Sequence, residues 1–284
     1  MRNWKMIPCY LCDPIRLALF LFVMATSTAL AEDSVGAFNP QSPTIQSKEL
    51  LPGLQWIRWT VTNNPDICVL RIDPHRYRFK VLNFLREGVS QPLRMSDWIE
   101  KSQALAVFNA GQYYPDFSYM GLLVSGGNKI QGRLHRLFQA LFLAEPLRED
   151  LQKARILDLA EEEFDPEAHG YLEVAQSFML LDRWKNIRVR RTPNMAARTI
   201  LAEETGGNLL LFLTQGPYTL WDLAEIIRDS PFSVLRAMSM DGGEEAQLVL
   251  RTENFSYPTL SEVQTQGSTP SRALPTVIAV FPRD

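Results

Sequence analysis

The sequence predicts a layered α+β fold, a single domain of mixed sheets with a few helices. Three observations carry this. Short aromatic and β-branched runs outnumber helical runs. Those runs are mostly clustered and show no βαβ repeat. Turn residues punctuate them, as at Asn63-Asn64-Pro65-Asp66 and Glu204-Thr205-Gly206-Gly207.

The chain opens with a predicted secretion signal over residues 1–31. Arg2, Lys5 and Arg16 lead into an apolar run, Leu17 to Ala25, and Ala29-Leu30-Ala31 offers a small-residue cleavage site. The run falls short of the roughly 20 residues that span a bilayer. Cys9 and Cys12 precede it, so neither suits lipid attachment. Cleavage would leave 253 residues carrying net charge −5 and one cysteine, Cys68. Such a chain has no intramolecular disulfide and must stand on its core. Its mild acidity argues against nucleic-acid partners, and no later stretch is apolar enough for stable membrane insertion. The expected location is periplasmic or secreted.

Residues 32–53, rich in Ser, Pro, Gly and Gln, read as a flexible leader, and 54–284 as the folded domain. Leu54 to Val61, Ile67 to Ile72 and Tyr77 to Leu82 read as strands, with Cys68 a buried small hydrophobe. Met95 to Lys101 reads as a short helix with Ser96 as its cap, and Leu105 to Phe108 as a short apolar run. Leu134, Leu137, Phe138, Leu141 and Phe142 fit either a helix or a buried strand. Glu149 to Lys153 is helix-prone, and the acidic run over 161–167 reads as solvated surface. Ser177 to Leu181, Thr199 to Ala202, Leu209 to Thr214, Leu235 to Met240 and Thr276 to Phe281 read as strands. Thr219 caps a helix that runs to Ile227.

Three strand ends hold candidate chemistry. Met240 leads into Asp241-Gly242-Gly243, where a carboxylate precedes a sharp backbone turn. Asn109-Ala110-Gly111-Gln112-Tyr113-Tyr114 places amides and aromatic faces after a short strand, groups suited to sugar hydroxyls and ring faces. Arg198 enters a strand where a basic group needs a carboxylate or an anionic ligand. His75, His135 and His169 are isolated, which argues against a histidine-built metal site. There is no GxSxG or Walker pattern.

Read in order, Asn109-Ala-Gly-Gln-Tyr-Tyr, Gly121-Leu-Leu-Val-Ser-Gly-Gly, Gln176-Ser177, Ala197-Arg198-Thr199, Thr219-Leu-Trp-Asp-Leu-Ala and Met240-Asp241-Gly242-Gly243 resemble the phosphodiester glycosidase family over roughly residues 100–282. Two departures stand out. The family's Asn-Gly-Gly turn is Asn109-Ala110-Gly111 here, and Glu244-Glu245-Ala246 replaces the small residues that usually follow Asp-Gly-Gly. The resemblance implies hydrolysis of a sugar phosphodiester or related glycosidic bond in an extracytoplasmic glycan. Asp241 would be the catalytic or site-organising carboxylate, Glu244 a second one, and Arg198 the phosphate holder. Asn109, Gln112, Tyr113, Gln176, Gly242 and Gly243 would bind substrate. No cofactor is required, although Glu244 and Glu245 are compatible with a divalent cation bridging to phosphate. The altered turns also fit a second reading, a non-catalytic glycan or cell-envelope binding module on the same fold.

Overall fold

The computed structural model describes residues 44–258 and 272–283. The predicted signal and residues 32–43 of the leader lie outside them. In chain order the strands are β1 (Thr44–Leu51), β2 (Leu54–Thr60), β3 (Ile67–Ile72), β4 (Tyr77–Asn83), β5 (Ala106–Asn109), β6 (Leu123–Ser125), β7 (Asn128–Gln131), β8 (Ala140–Pro146), β9 (Ala154–Asp158) and β10 (Tyr171–Leu181). They continue as β11 (Thr199–Glu204), β12 (Leu209–Thr214), β13 (Val234–Ser239), β14 (Leu248–Thr252), β15 (Phe255–Tyr257) and β16 (Thr276–Pro282). Two α-helices, α1 (Met95–Ser102) and α2 (Leu220–Arg228), and a 3₁₀ turn (Gly243–Glu245) complete the described elements.

An eleven-stranded sheet runs β1-β2-β3-β12-β11-β13-β10-β6-β7, with β8 also on β10 and β9 on β8. A five-stranded sheet runs β15-β14-β5-β16-β4. Among the described residues the fold is therefore mostly β, at 45 % strand and 9 % helix, rather than a balanced α+β mixture. The helices are short because only two runs keep helical spacing long enough to bury a face.

Strand alternation explains the layering. In β12, Leu209, Leu211 and Leu213 join the core between the two sheets, while Leu210 and Phe212 face the cluster under α2. In β16, Ile278 and Val280 face the inter-sheet core, and Val277 and Ala279 face the cluster around α1. The order of layers is thus α2, large sheet, small sheet, α1. Both faces of these central strands are covered, which is why they read as continuous apolar runs.

Several expectations shift. β1 begins at Thr44, inside the segment read as leader; its side chains are mostly exposed, so it carries no apolar signal, and only its antiparallel pairing with β2 reveals it. The ambiguous middle resolves into a loop and β8, because Ala140 to Ala144 pair on both sides, with β9 and β10. The helix-prone charges after it form a turn. Arg94, not Ser96, is the α1 N-cap; the Ser96 hydroxyl instead meets the Asp97 carboxylate at 3.2 Å. Thr219 does cap α2, accepting from the Asp222 N–H at 3.0 Å. Cys68 is buried in β3. No helix among the described residues is long and apolar enough to cross a membrane.

Candidate active site

The site forms at the seam between the sheets. Asn109 ends β5 of the small sheet, while Arg198 precedes β11 and Asp241 follows β13 of the large sheet. These three segments meet. The Asn109 amide donates to the Asp241 carbonyl at 2.9 Å and to the Ala110 carbonyl at 3.1 Å. Its Oδ1 accepts from the Thr199 hydroxyl at 2.7 Å and the Gln247 N–H at 3.1 Å. The Asp241 N–H bonds the Ala110 carbonyl, and the Gly243 N–H bonds the Ala197 carbonyl.

The two glycines are required by geometry. A Cβ on Gly242 would stand 3.0 Å from the Ala197 carbonyl and 3.2 Å from Arg198 Nη1. Gly243 sits at φ +73°, a left-handed conformation that side chains disfavour. The turn therefore lies directly against the arginine.

Asp241 is only partly exposed. Burial, opposed by the bond its Oδ1 accepts from the Gly242 N–H and reinforced by nearby Glu245, pushes its carboxyl up to about 6. Arg272 acts weakly in the opposite direction. The Arg198 guanidinium donates only to carbonyls, Nε to Tyr218 and Nη2 to Asn194, and forms no ion pair among the described residues. Burial holds its guanidinium below its ordinary value. A half-buried cation without a carboxylate partner is poised to gain from an anion.

Not every expected residue offers itself to a ligand. Asn109 is 1 % exposed and its bonding capacity is taken up by the turn it holds. Gln176 is fully buried: its Oε1 accepts from the Leu122 and His135 N–H groups, and its Nε2 donates to the His135 and Phe138 carbonyls. Asn109 braces the Asp241 turn, whereas Gln176 ties β10 to the segments at Leu122 and His135–Phe138. Gln112 donates to the Met240 carbonyl at 3.2 Å, and its Oε1 lies 3.1 Å from the Ser177 hydroxyl, which also meets the Ser239 carbonyl at 2.5 Å.

The two glutamates after the turn diverge. Glu244 points outward, 71 % exposed, with Arg272 at 3.2 Å. Glu245 turns inward, 17 % exposed, accepting from the Tyr113 hydroxyl at 3.2 Å and pairing with Arg272 Nε at 2.9 Å. Arg272 is thus the group that sequence reading missed, and Glu245, not the expected Glu244, is the carboxylate that turns toward Asp241. Adjacent glutamates in a short 3₁₀ turn give no signal of which faces in, and Arg272 lies in a stretch without periodicity. Among the described residues, no group of three or more His, Cys, Asp or Glu side chains is arranged to hold a metal ion.

Fold and site together define a four-layer β-rich protein with a carboxylate and an uncompensated arginine at the seam of its sheets. The chain belongs to the phosphodiester glycosidase family, whose sequence profile matches residues 102–281. Among solved structures it resembles the catalytic domain of zebrafish N-acetylglucosamine-1-phosphodiester alpha-N-acetylglucosaminidase, auto-inhibited by its pro-peptide. The TM-score is 0.57 at 15 % identity, covering 85 % of this chain and 83 % of that one. It also resembles a hypothetical protein from Synechocystis, with TM-score 0.59 at 13 % identity, over 85 % of this chain and 64 % of that one. At these identities the likeness shows the fold. No curated protein matches the chain.

Proposed function

We propose that the chain hydrolyses a sugar phosphodiester or closely related glycosidic bond in an extracytoplasmic glycan. The observation that carries this reading is Asp241, a carboxyl raised to about 6 on a turn packed against Arg198. At neutral pH such a group is mostly ionised, yet more basic than an ordinary carboxylate. It can take a proton from water attacking the anomeric carbon. Arg198 would stabilise the negative charge that collects on the departing phosphoryl group. Burial chiefly keeps Asp241 from becoming strongly acidic, with Glu245 adding to it, and Arg272 pairs with Glu245. Glu244, mostly in solvent, takes the outer rim rather than the second carboxylate position. Gln112 and Tyr113 border the turn and would meet the sugar.

The reading needs no cofactor. A divalent cation at Glu244 and Glu245 would first have to displace Arg272, so activity is expected to withstand a chelator. Export is part of the proposal: N-terminal sequencing of the extracytoplasmic protein should begin at Glu32.

The direct test offers a panel of sugar-1-phosphodiesters to the chain and to Asp241→Asn. Wild type should release the phosphomonoester, and the variant should lose about 10²–10⁴-fold in rate. Equal turnover by both defeats the assignment. Glycan binding that persists in Asp241→Asn, with no product from either protein, would select the non-catalytic binding module instead.

A further inference from the structure

The basic residues between Arg183 and Arg198 fall into two groups. Arg183 and Arg188 pair with carboxylates, Glu161 at 3.4 Å and Asp158 at 3.0 Å, and Lys185 donates to the Val234 carbonyl. Arg190, Arg191 and Arg198 meet no carboxylate among the described residues. The segment that carries these three guanidiniums, residues 190–198, contains no acidic side chain. On a chain whose net charge is −3, so local an excess of positive charge draws anions.

Arg198 joins this segment to the Asp241 turn. Its Nη1 makes no hydrogen bond and stands beside Gly242, where an added Cβ would come within 3.2 Å. Its Nε and Nη2 are anchored to the Tyr218 and Asn194 carbonyls, at 3.0 and 2.7 Å. Those carbonyls adjoin the walls of an open hollow. Arg191, Thr192 and Pro193 form one wall and lead into Asn194, while Thr219 and Asp222 form the other and follow Tyr218. The walls are pinned together, because Ala196 and Tyr218 exchange backbone hydrogen bonds at 3.1 and 2.8 Å. Arg191 lies over the Trp221 ring, 5.9 Å from its centroid, which keeps the guanidinium against α2. Three residues of chain separate Arg191 from Asn194, so the two lie within about 10 Å of each other. Residues 190–195 are all exposed, and Asp222 is the one carboxylate on the walls.

A phosphodiester held by Arg198 has two ester arms. The sugar arm faces Asp241, and the hollow lies where the other arm can extend. We propose that this hollow receives the alcohol arm of the phosphodiester, and that the arm carries a second anionic group selected by Arg190 and Arg191. The inference rests on the reading of Arg198 as the phosphate holder and adds the substrate class: an alcohol bearing its own negative charge, in place of a neutral sugar. Guanidinium forks suit such a group, because they present paired donors to its oxygens.

The test is an amide NMR titration of the folded chain at low ionic strength with two probes. One is dimethyl phosphate; the other joins two methyl phosphodiesters through propanediol. Neither contains a glycosidic bond, so the outcome does not depend on catalysis at Asp241. The second probe should bind about fivefold tighter, above the roughly twofold gain that two phosphates give by number alone. Shifts should spread from 241–243 and 198 to 190–194 and 219–222. Replacing both exposed arginines, Arg190→Gln with Arg191→Gln, should remove the extra affinity, and high salt should do the same. Arg86→Gln, an exposed arginine beyond β4 of the small sheet, should leave it intact. A gain no larger than twofold, a gain that survives the double variant, or one equally reduced by Arg86→Gln would overturn the proposal alone. Binding of both probes unchanged in Arg198→Gln would overturn the phosphate-holder reading and the proposal with it.

Discussion

At the scale of single residues, the site divides into groups whose hydrogen bonds are already spent and groups left to serve the proposed chemistry. Asn109 holds: one buried amide ties β5, β11 and the Asp241 turn through four hydrogen bonds. Asn109→Ala leaves buried donors and acceptors unmet and should cost about 2–3 kcal/mol, read from urea unfolding. Asn109→Asp sets a carboxylate against two carbonyls and should be no milder. Asp241 is the group proposed to act; burial does most to raise its carboxyl, and Glu245 and Arg272, which adjust it further, can be removed singly. Glu245→Gln should lower the Asp241 pKa, and Arg272→Gln should raise it by leaving Glu245 unbalanced. Carboxyl NMR titration measures both shifts without any substrate. If Asp241 is the base, kcat/KM should fall as pH drops through about 6, with the midpoint moving in step with each variant. The sequence revealed Asp241, Arg198 and Asn109 as strand-end residues, because a polar group closing an apolar strand is a strong local contrast. It could not separate holding from acting. That distinction depends on which hydrogen bonds are already made, and those come from residues such as Thr199 and Gln247, 90 and 138 positions from Asn109.

At the scale of elements, exposed strand edges are closed by buried side chains in place of another strand. β4 is the last strand of the small sheet. Its Phe79 N–H is taken by Glu145 at 3.0 Å and its Val81 N–H by Glu173 at 2.8 Å, while the Ser125 hydroxyl donates to the Val81 carbonyl at 2.7 Å. β9 ends its own branch of the large sheet, and there Glu203 takes the Ile156 N–H while Arg236 donates to the Ile156 carbonyl. Edges blocked in this way cannot pair with another chain. The Glu173 staple has a pH signature. Burial, partly offset by the Val81 and Gly126 N–H groups, raises its carboxyl from 4.5 to about 7. A carboxyl raised on folding favours the native state when protonated. Its contribution is complete below pH 4.5 and is lost as pH rises through 7. Unfolding free energy should therefore fall by on the order of 3 kcal/mol across that window, and Glu173→Gln should remove that slope. A variant that keeps the wild-type slope would reassign the titration to another group. None of these staples was legible in the sequence, since a glutamate within an apolar strand carries no mark of the edge it will reach.

At the scale of the whole molecule, the sequence made the central strands plain and the outer ones obscure. Leu209 to Thr214 and Thr276 to Phe281 declare themselves because both of their faces are buried. β1 and β7 do not, because an exposed edge strand shares its composition with a loop. The layer order matters for the proposed function, since the candidate site draws Asn109 from one sheet and Asp241 and Arg198 from the other. Its geometry is set by how the sheets dock, which gives a prediction separating docking from stability. Phe142 of the large sheet meets Phe79 of the small sheet edge to face, with ring centroids 5.5 Å apart. Phe212 is equally buried on the opposite face of the large sheet, against Trp59 and Phe232. Phe142→Ala and Phe212→Ala should each cost about 3–5 kcal/mol by urea unfolding. Their effects on the seam should differ. Loss of Phe142 lets the sheets shift and should loosen the Asn109–Asp241 contact, bringing the Asp241 pKa from about 6 toward its ordinary value as water enters. Loss of Phe212 loosens the α2 layer and should leave Asp241 where it is. If both variants move Asp241 equally, the site responds to overall stability, and the docking of the two sheets has no special hold on it.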